Sequence, residues 1–294
     1  MKVDFHCHST ASDGTVSPDA LAALADGFAA FALTDHDNCG GLAECASACP
    51  EGVRFVAGVE LSIEPGEGFD KFHLLALGFD PSDAGVKSLL RRVLDGRNIR
   101  NGRIIENFAR IGIDIDPALI DKYANGEVLA RPHFARYLID YGYASSIKDA
   151  FDRFLLPDSP VETRCYSERI RPSQEETFRV IHEAGGLCVM AHPKFWKREW
   201  RAVGVDLAAA EMELFRLKEA GLDGIEALYQ ANTPGENVDF IRIAEKVGLL
   251  KTAGSDFHGA SKPDISFGMD VTESFIAPFL ERCRLWPGSA WLSV

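Results

Sequence analysis

A few short stretches of this 294-residue chain carry side chains able to bind a divalent metal. They are His6 and His8 in DFHCHS, Asp35 and His36 in LTDHD, Glu60 in GVELS, His192 in AHP, Glu226 in GIEALY, and Asp256 and His258 in GSDFHG. Imidazole with carboxylate is the donor set of borderline metals such as zinc, manganese and iron. Several carboxylates without cysteine suit a site for more than one cation, because a bridging carboxylate offsets the repulsion between the ions. The chemistry open to such a site is metal-assisted hydrolysis. Residues i and i+2 of a strand share a face, so His6 and His8 point one way and Val3, Phe5 and Cys7 the other. Singly, a histidine at a strand end is more often a hydrogen-bonded structural residue than a ligand, and Glu60 could merely cap a helix. Jointly the bland reading is poor, because one strand after another ends in a metal-competent group. Of the remaining histidines, His73 opens the apolar run FHLLALGF and His133 stands in RPH. His182, beside Glu183 on a helix, reads as a solvated surface residue.

Alternating strands and helices must position these groups. VDFHCH, FALT, VRFVAGVELS, FHLLALGF, LCVMAHP, DGIEALY and LLKTAGSDFHG read as strands. Between them run helical segments such as the one opened by Ser17-Pro18, SQEETFRVIHEAGG, DLAAAEMELFRLKEAG and FIRIAEKVG. That rhythm is the signature of βαβ units and a parallel sheet. Chemistry-bearing residues at C-terminal strand ends fit an α/β barrel, where every βα loop opens on one face. Residues 83–159 break the rhythm with basic, helix-compatible sequence such as LLRRVLDGRNIRNGRIIENFARIGI. This stretch reads as a helical insert, leaving residues 1–82 and 160–294 for the barrel.

Composition limits the partners. A net charge of −13 argues against a general grip on the nucleic-acid backbone, and so against stable DNA binding. It leaves room for a small phosphorylated substrate held by a few local arginines. No apolar run reaches the roughly 18–20 residues of a membrane span, and no signal peptide is evident. The cysteines, at 7, 39, 45, 49, 165, 188 and 283, are odd in number and lack framework spacing. Reduced thiols in the cytoplasm are the expectation. Cys45 and Cys49 lie i and i+4 on a helix, but no second pair follows, so they read as packing residues and not half a zinc site.

The ordered series DFHCHSTASDG, LTDHD, GVELS, FHLLALGF, AHP, GIEALY and GSDFHG resembles the successive motifs of the PHP (polymerase and histidinol phosphatase) family, from residue 3 to about residue 259. The resemblance implies a distorted (β/α)7 barrel with a helical insert, two or three divalent ions (Mn, Fe or Zn), and cleavage of phosphate esters. It implies one ion on His6, His8, Glu60 and Asp256, with Glu60 bridging to a second on His73 and His192. Asp13, His36 and His258 would then hold a third ion, or face the phosphate and serve catalysis by supplying a proton to the leaving oxygen. Many relatives have histidine where Asp13 stands, and a carboxylate there weakens the third site.

Within the insert, GRNIRNGRIIENFARIGIDI, LARPHFARYLIDYG and DAFDRFL resemble the branch that hydrolyses nucleoside 3′,5′-bisphosphates and trims short RNA 5′ ends. Arg97 and Arg100 share a helical face, and Asn101 is i+4 from Arg97. With Asn98, Arg131 and His133 they form the expected phosphate-binding set, and Lys194 after the AHP motif is a further candidate. Planar guanidinium forks suit phosphate. The expected substrate is a small nucleotide such as adenosine 3′,5′-bisphosphate (pAp), losing its 3′-phosphate, or a short RNA end. Three alternatives stand beside it, of which a degenerate binding module is disfavoured by the complete ligand series. Histidinol-phosphate phosphatase fits the arginine-bearing insert less well. An amidohydrolase-like C–N hydrolase usually needs a carbamylated lysine between its metals, and no strand-end lysine here suits that role. The segment QANTPGENV after GIEALY lacks a histidine that many members carry, and the tail SAWLSV reads as peripheral packing.

Overall fold

A computed structural model describes residues 1–124, 128–197 and 204–287. Its strands are β1 (Lys2–Asp4), β2 (Ala30–Leu33), β3 (Arg54–Ile63), β4 (Phe72–Leu77), β5 (Leu187–Met190), β6 (Gly224–Tyr229), β7 (Leu250–Gly254) and β8 (Met269–Asp270). They form one sheet in the order β7-β6-β5-β4-β3-β2-β1-β8. The sheet curls until β1 meets β7. Phe5 N–H donates to Ala253 O at 2.9 Å, Asp256 N–H donates to His6 O at 2.8 Å, and Cys7 bridges Phe257. The barrel expected from the sequence is present, with three differences in detail.

The sheet is not wholly parallel. β4 runs antiparallel to both β3 and β5. The chain has only residues 64–71 between β3 and β4, too few for the dozen or more that a parallel crossover needs. An antiparallel return is the one geometry that length permits, and it brings the first residues of β4 to the mouth where β3 ends: Ser62 pairs with His73. The second difference is β8, two residues added antiparallel beside β1. The third is that β1 stops at Asp4, well short of the strand read through His8. Beyond it the backbone is shared among neighbours, with Cys7 N–H on Thr34 Oγ1 and His8 N–H on Phe257 O.

After the short helices α1 (Pro18–Leu24) and α2 (Leu42–Ser47), residues 84–110 form the long helix α3 (Ala84–Arg110), capped by the Asp83 side chain on the N–H groups of Gly85 and Val86. Its first half buries Val86, Leu89 and Val93 against the barrel. Its second half contributes Ile104 and Phe108 to a separate apolar cluster with Ile120, Phe134, Leu138 and Phe154. Helix α3 is thus a spine between two cores, which holds its central turns against the barrel mouth. The second cluster also takes in Cys165, beyond the expected end of the insert at residue 159. Among the described residues, no helix is long and apolar enough to cross a membrane.

Candidate metal centre and arginine cavity

Glu60 is the hub. One carboxylate oxygen, Oε1, lies 2.8 Å from His73 Nδ1 and 3.1 Å from His192 Nε2. The other, Oε2, lies 2.9 Å from His36 Nδ1, 3.3 Å from His8 Nε2 and 3.4 Å from His6 Nε2. Asp256 Oδ1 faces His6 and His8 at 3.6 and 3.4 Å. Asp13 faces His258 Nε2 at 3.3 Å and His36 Nε2 at 3.9 Å. The donor atoms form overlapping groups, each within 4.8 Å: His8/Asp13/His36/His258, His6/His192/Asp256, His6/His8/Glu60 and Glu60/His73/His192. Every residue named from the sequence as a ligand is in this cluster. His73 joins it from the start of a strand because β4 runs backwards.

A second layer fixes the rings. Glu226 on β6 reaches His6 Nδ1 at 3.0 Å and accepts the His192 N–H at 2.6 Å. Gly254 makes room for it, since a Cβ there would sit 2.1 Å from Glu226 Oε1 and 2.5 Å from His6 Cβ. Asp35 holds the loop leading to Asp13, accepting from Ser9 N–H, Ser9 Oγ and Ser12 Oγ. Tyr229 and Lys262 both donate to Asp256 Oδ2. Among the described residues, three that are not glycine have positive φ: Asp37 at 56°, His192 at 29° and Asp256 at 59°. All three belong to this site or its border, where such strain is held by the surrounding contacts. Asp35 and Glu226 stood out in the sequence at strand ends. The structure puts both behind the donors, a role that residue type alone does not reveal.

Do these residues fit metal ions? Burial would raise the pKa of Glu60, but His36, His6 and His73 hold it well below the carboxylate range. Asp256 and Asp13 are held low against burial in the same way, chiefly by His6 and His36 respectively. Burial pushes His73 down to about 4, leaving a neutral imidazole. His8 goes the other way, to about 9: burial opposes its charge, but the Asp256 and Glu60 carboxylates beside it outweigh that. His6 Nε2, His8 Nε2, Glu60 Oε2 and Asp13 Oδ1 are buried close to one another, yet among the described residues none makes a well-directed hydrogen bond. Unpaired buried donors and acceptors are costly and need an explanation. Convergent imidazole and ionised carboxylate atoms supply one, because divalent cations satisfy all of them together.

Beside the cluster lies a polar cavity of about 200 Å³, bordered by Asp13, His36 and His73 and by Arg97, Arg100, Arg131, Arg169 and Arg171. Arg97 and Arg169 share one counter-charge, the buried Asp37. Burial would raise Asp37, but Arg169 and Arg97 hold it below the usual range. Arg100 is 4% exposed, and its Nε and Nη2 have no hydrogen-bond partner among the described residues. Burial and the neighbouring Arg97, Arg169 and Arg131 press its pKa down to about 8. A guanidinium keeps its proton at neutral pH, so this cavity is organised for an anion.

Four sequence expectations do not reach the cavity lining. Asn98 is on the opposite side of α3, in a depression with Ile105 and Pro117. Asn101 is one residue past Arg100 and donates to Leu129 O at 2.9 Å, tying α3 to the chain entering the next helix. Lys194 is engaged by Glu236 at 2.8 Å and by Ala231 O, and does not line the cavity. His133 is buried behind the wall, its Nδ1 accepting the Ala130 N–H, and burial holds its pKa at about 4. Arg169 and Arg171 were missed. Their spacing, i and i+2 ahead of Pro172 in ERIRP, is the signal of an extended segment aiming both at one side. Residues 198–203, beyond the AHP motif, and the tail from residue 288 lie outside the described residues.

The family model of the PHP domain matches residues 4–163. The 3′,5′-nucleoside bisphosphate phosphatase of Chromobacterium violaceum is 32% identical over 269 residues, covering 87% of each chain. The 5′-3′ exoribonuclease of Haemophilus influenzae is 34% identical over 264 residues, covering 87% of this chain and 90% of the relative. Among solved structures, an amidohydrolase from Chromobacterium violaceum with bound sulfate and no metal superposes with a TM-score of 0.82, at 29% identity and 99% coverage of both chains. A Bifidobacterium adolescentis protein described as a metal-dependent phosphoesterase gives 0.78, at 28% identity over 95% and 96% of the two chains. With this donor cluster at the mouth of this barrel, the chain belongs to the PHP domain family and is a metal-dependent phosphoesterase.

Proposed function

We propose that the enzyme removes the 3′-phosphate of nucleoside 3′,5′-bisphosphates and trims nucleotides from the 5′ end of short RNA. One observation carries this reading: an arginine cavity adjoins the Glu60 cluster through Asp13, His36 and His73, and in it the buried Arg100 has two guanidinium nitrogens without a partner among the described residues. A substrate with two phosphates a nucleoside apart uses both halves. Histidinol phosphate, with one phosphate, leaves the arginines without a role. The named activities of the relatives from Chromobacterium violaceum and Haemophilus influenzae support the same choice.

His6, His8, Glu60 and Asp256 would hold one cation, Glu60, His73 and His192 a second, and Asp13, His36 and His258 a third. Bound there, divalent cations supply Lewis acidity, neutralising charge on the phosphoryl oxygens and lowering the pKa of water. Arg100, Arg131 and Arg171 would orient the 5′-phosphate, which fixes the distance of the 3′-ester from Glu60. Arg97 and Arg169 are already committed to Asp37 and shape the wall. The departing 3′-oxygen needs a proton. Where Asp13, His36 and His258 hold no third cation, His36 or His258 would face that oxygen and supply the proton.

The test is a substrate comparison with manganese-loaded protein: pAp, histidinol phosphate and an N-acyl amino acid. Turnover of pAp alone supports the reading. Turnover of histidinol phosphate or the amide, with pAp inert, would replace it.

A further inference from the structure

A second cavity meets the first at the donor cluster. It encloses about 680 Å³ and shares Asp13, His36, Pro132 and Phe151 with the arginine cavity. Its own walls are apolar, formed by Ile139 and Ile147 with Pro132 and Phe151, and it also carries Arg136 and Lys262. Pro132 and Phe151 therefore stand between a cationic chamber and an apolar one, with the chemistry where the two join.

We propose that this apolar chamber receives the second nucleotide of an RNA substrate, the one attached to the scissile phosphate on its far side. The inference rests on the bisphosphate reading above. Relative to a 5′-phosphate, the 3′-phosphate of pAp and the first internucleotide phosphate of RNA occupy the same position. In both, a water oxygen joins phosphorus, the P–O3′ bond breaks with its electron pair, and O3′ takes a proton. The diester differs by one substituent, a second nucleoside on that phosphorus. With the 5′-phosphate among the arginines and the scissile phosphate at Glu60, the extra nucleoside has the second chamber to enter.

The lining matches such an occupant. Ile147 is 42% exposed, an apolar side chain left facing solvent, and Phe151 offers a ring on which a base can stack. Arg136 hydrogen-bonds Ser261 Oγ and has no carboxylate partner among the described residues, so its charge is available to the next phosphate. Lys262 differs, since it is paired with Asp256 Oδ2 at 2.6 Å and belongs with the donor cluster.

The test compares kcat/KM on pAp and on the 5′-phosphorylated trinucleotide pApApA for the full manganese-loaded chain and two variants. Ile147→Asp puts a charge on the apolar wall. Ile147 is the first residue of a short helix (Ile147–Ala150) after the cap Ser146, where an acidic residue is tolerated, so the variant folds. Arg136→Gln removes the unpaired cation. The ratio of trinucleotide to pAp turnover falls about tenfold or more in each variant if a stacked base and its phosphate lie there. An unchanged ratio overturns the inference. Equal loss on both substrates also overturns it, assigning the chamber to the first nucleotide's base, and so does a wild type that cleaves pAp but not the trinucleotide. A wild type inert on pAp refutes the underlying reading instead, and the inference with it.

Discussion

Glu226 Oε1 lies 3.0 Å from His6 Nδ1, with both side chains fully buried at the floor of the cluster. Its second oxygen accepts the His192 N–H, so one carboxylate orients two candidate ligands. Glu226→Gln keeps the volume but replaces one acceptor with a donor. Loss of such a partner costs about 10–100-fold in metal affinity. Metal content after dialysis, read by mass spectrometry, is expected to fall while circular dichroism stays native. Full metal retention would remove Glu226 from the account.

The same contact sets a steric demand at Gly254. An alanine Cβ would lie 2.1 Å from Glu226 Oε1 and 2.5 Å from the Cβ of His6, both fully buried. Gly254→Ala is expected to destabilise the fold by roughly 1–3 kcal/mol, the usual cost of overpacking. It is also expected to lower metal occupancy by displacing Glu226 from His6. Thermal unfolding with and without manganese checks both effects.

Arg100 contrasts stability with function. Its guanidinium is buried among other cations, with two nitrogens lacking a partner among the described residues. Replacing an uncompensated buried charge with an apolar side chain of similar length is neutral or stabilising, by about 1 kcal/mol or more. Arg100→Met is therefore expected to raise the urea midpoint while lowering kcat/KM on pAp about a hundredfold, the scale of a lost charge-assisted phosphate contact. A variant both less stable and fully active would contradict the anion role.

His182 gives a pH signature away from the site. Its Nε2 lies 2.7 Å from Asp223 Oδ2, and hydrogen bonding to that carboxylate raises its pKa. Burial opposes the charge of Asp223, but His182 lowers its pKa on balance. A raised histidine pKa contributes stability that is complete below the unfolded value near 6.5 and is lost as pH rises through the folded value. The Asp223 contribution is present above its unfolded value near 3.8 and is lost as pH falls through the folded one. His182→Gln is expected to cost most at about pH 5–6 and least at about pH 8–9, in urea titrations across that range. A cost that grew with pH would reverse the assignment.

Much of the centre was legible because chemistry and periodicity coincided. Imidazoles and carboxylates at successive strand ends could meet only if those ends formed one mouth, and all of the expected donors do meet. The direction of β4 was also written in the chain, in the short connection 64–71, but only loop length reveals it. Helical phase misled at Asn98 and Asn101. Both neighbour the cavity arginines in sequence, yet each turns out of the cavity, Asn101 toward Leu129 O and Asn98 toward Pro117. Arg169 and Arg171 come from an irregular stretch ahead of the next barrel helix, where the i, i+2 spacing gives them a shared side but does not say that this side faces the cavity. His182 is on the surface as its helical position suggests, but its ion pair with Asp223 depends on a residue 41 positions away.

The central claim is that one substrate spans the arginine cavity and the Glu60 cluster. Comparing kcat/KM for pAp and for adenosine 3′-monophosphate, which keeps the scissile ester but lacks the 5′-phosphate, tests it most directly. The account predicts that the monophosphate is poorer by about a hundredfold or more, since charge-assisted contacts at about 1.5–3 kcal/mol each are lost. In Arg100→Met that preference shrinks. Equal turnover of the two by the wild-type enzyme would contradict the account.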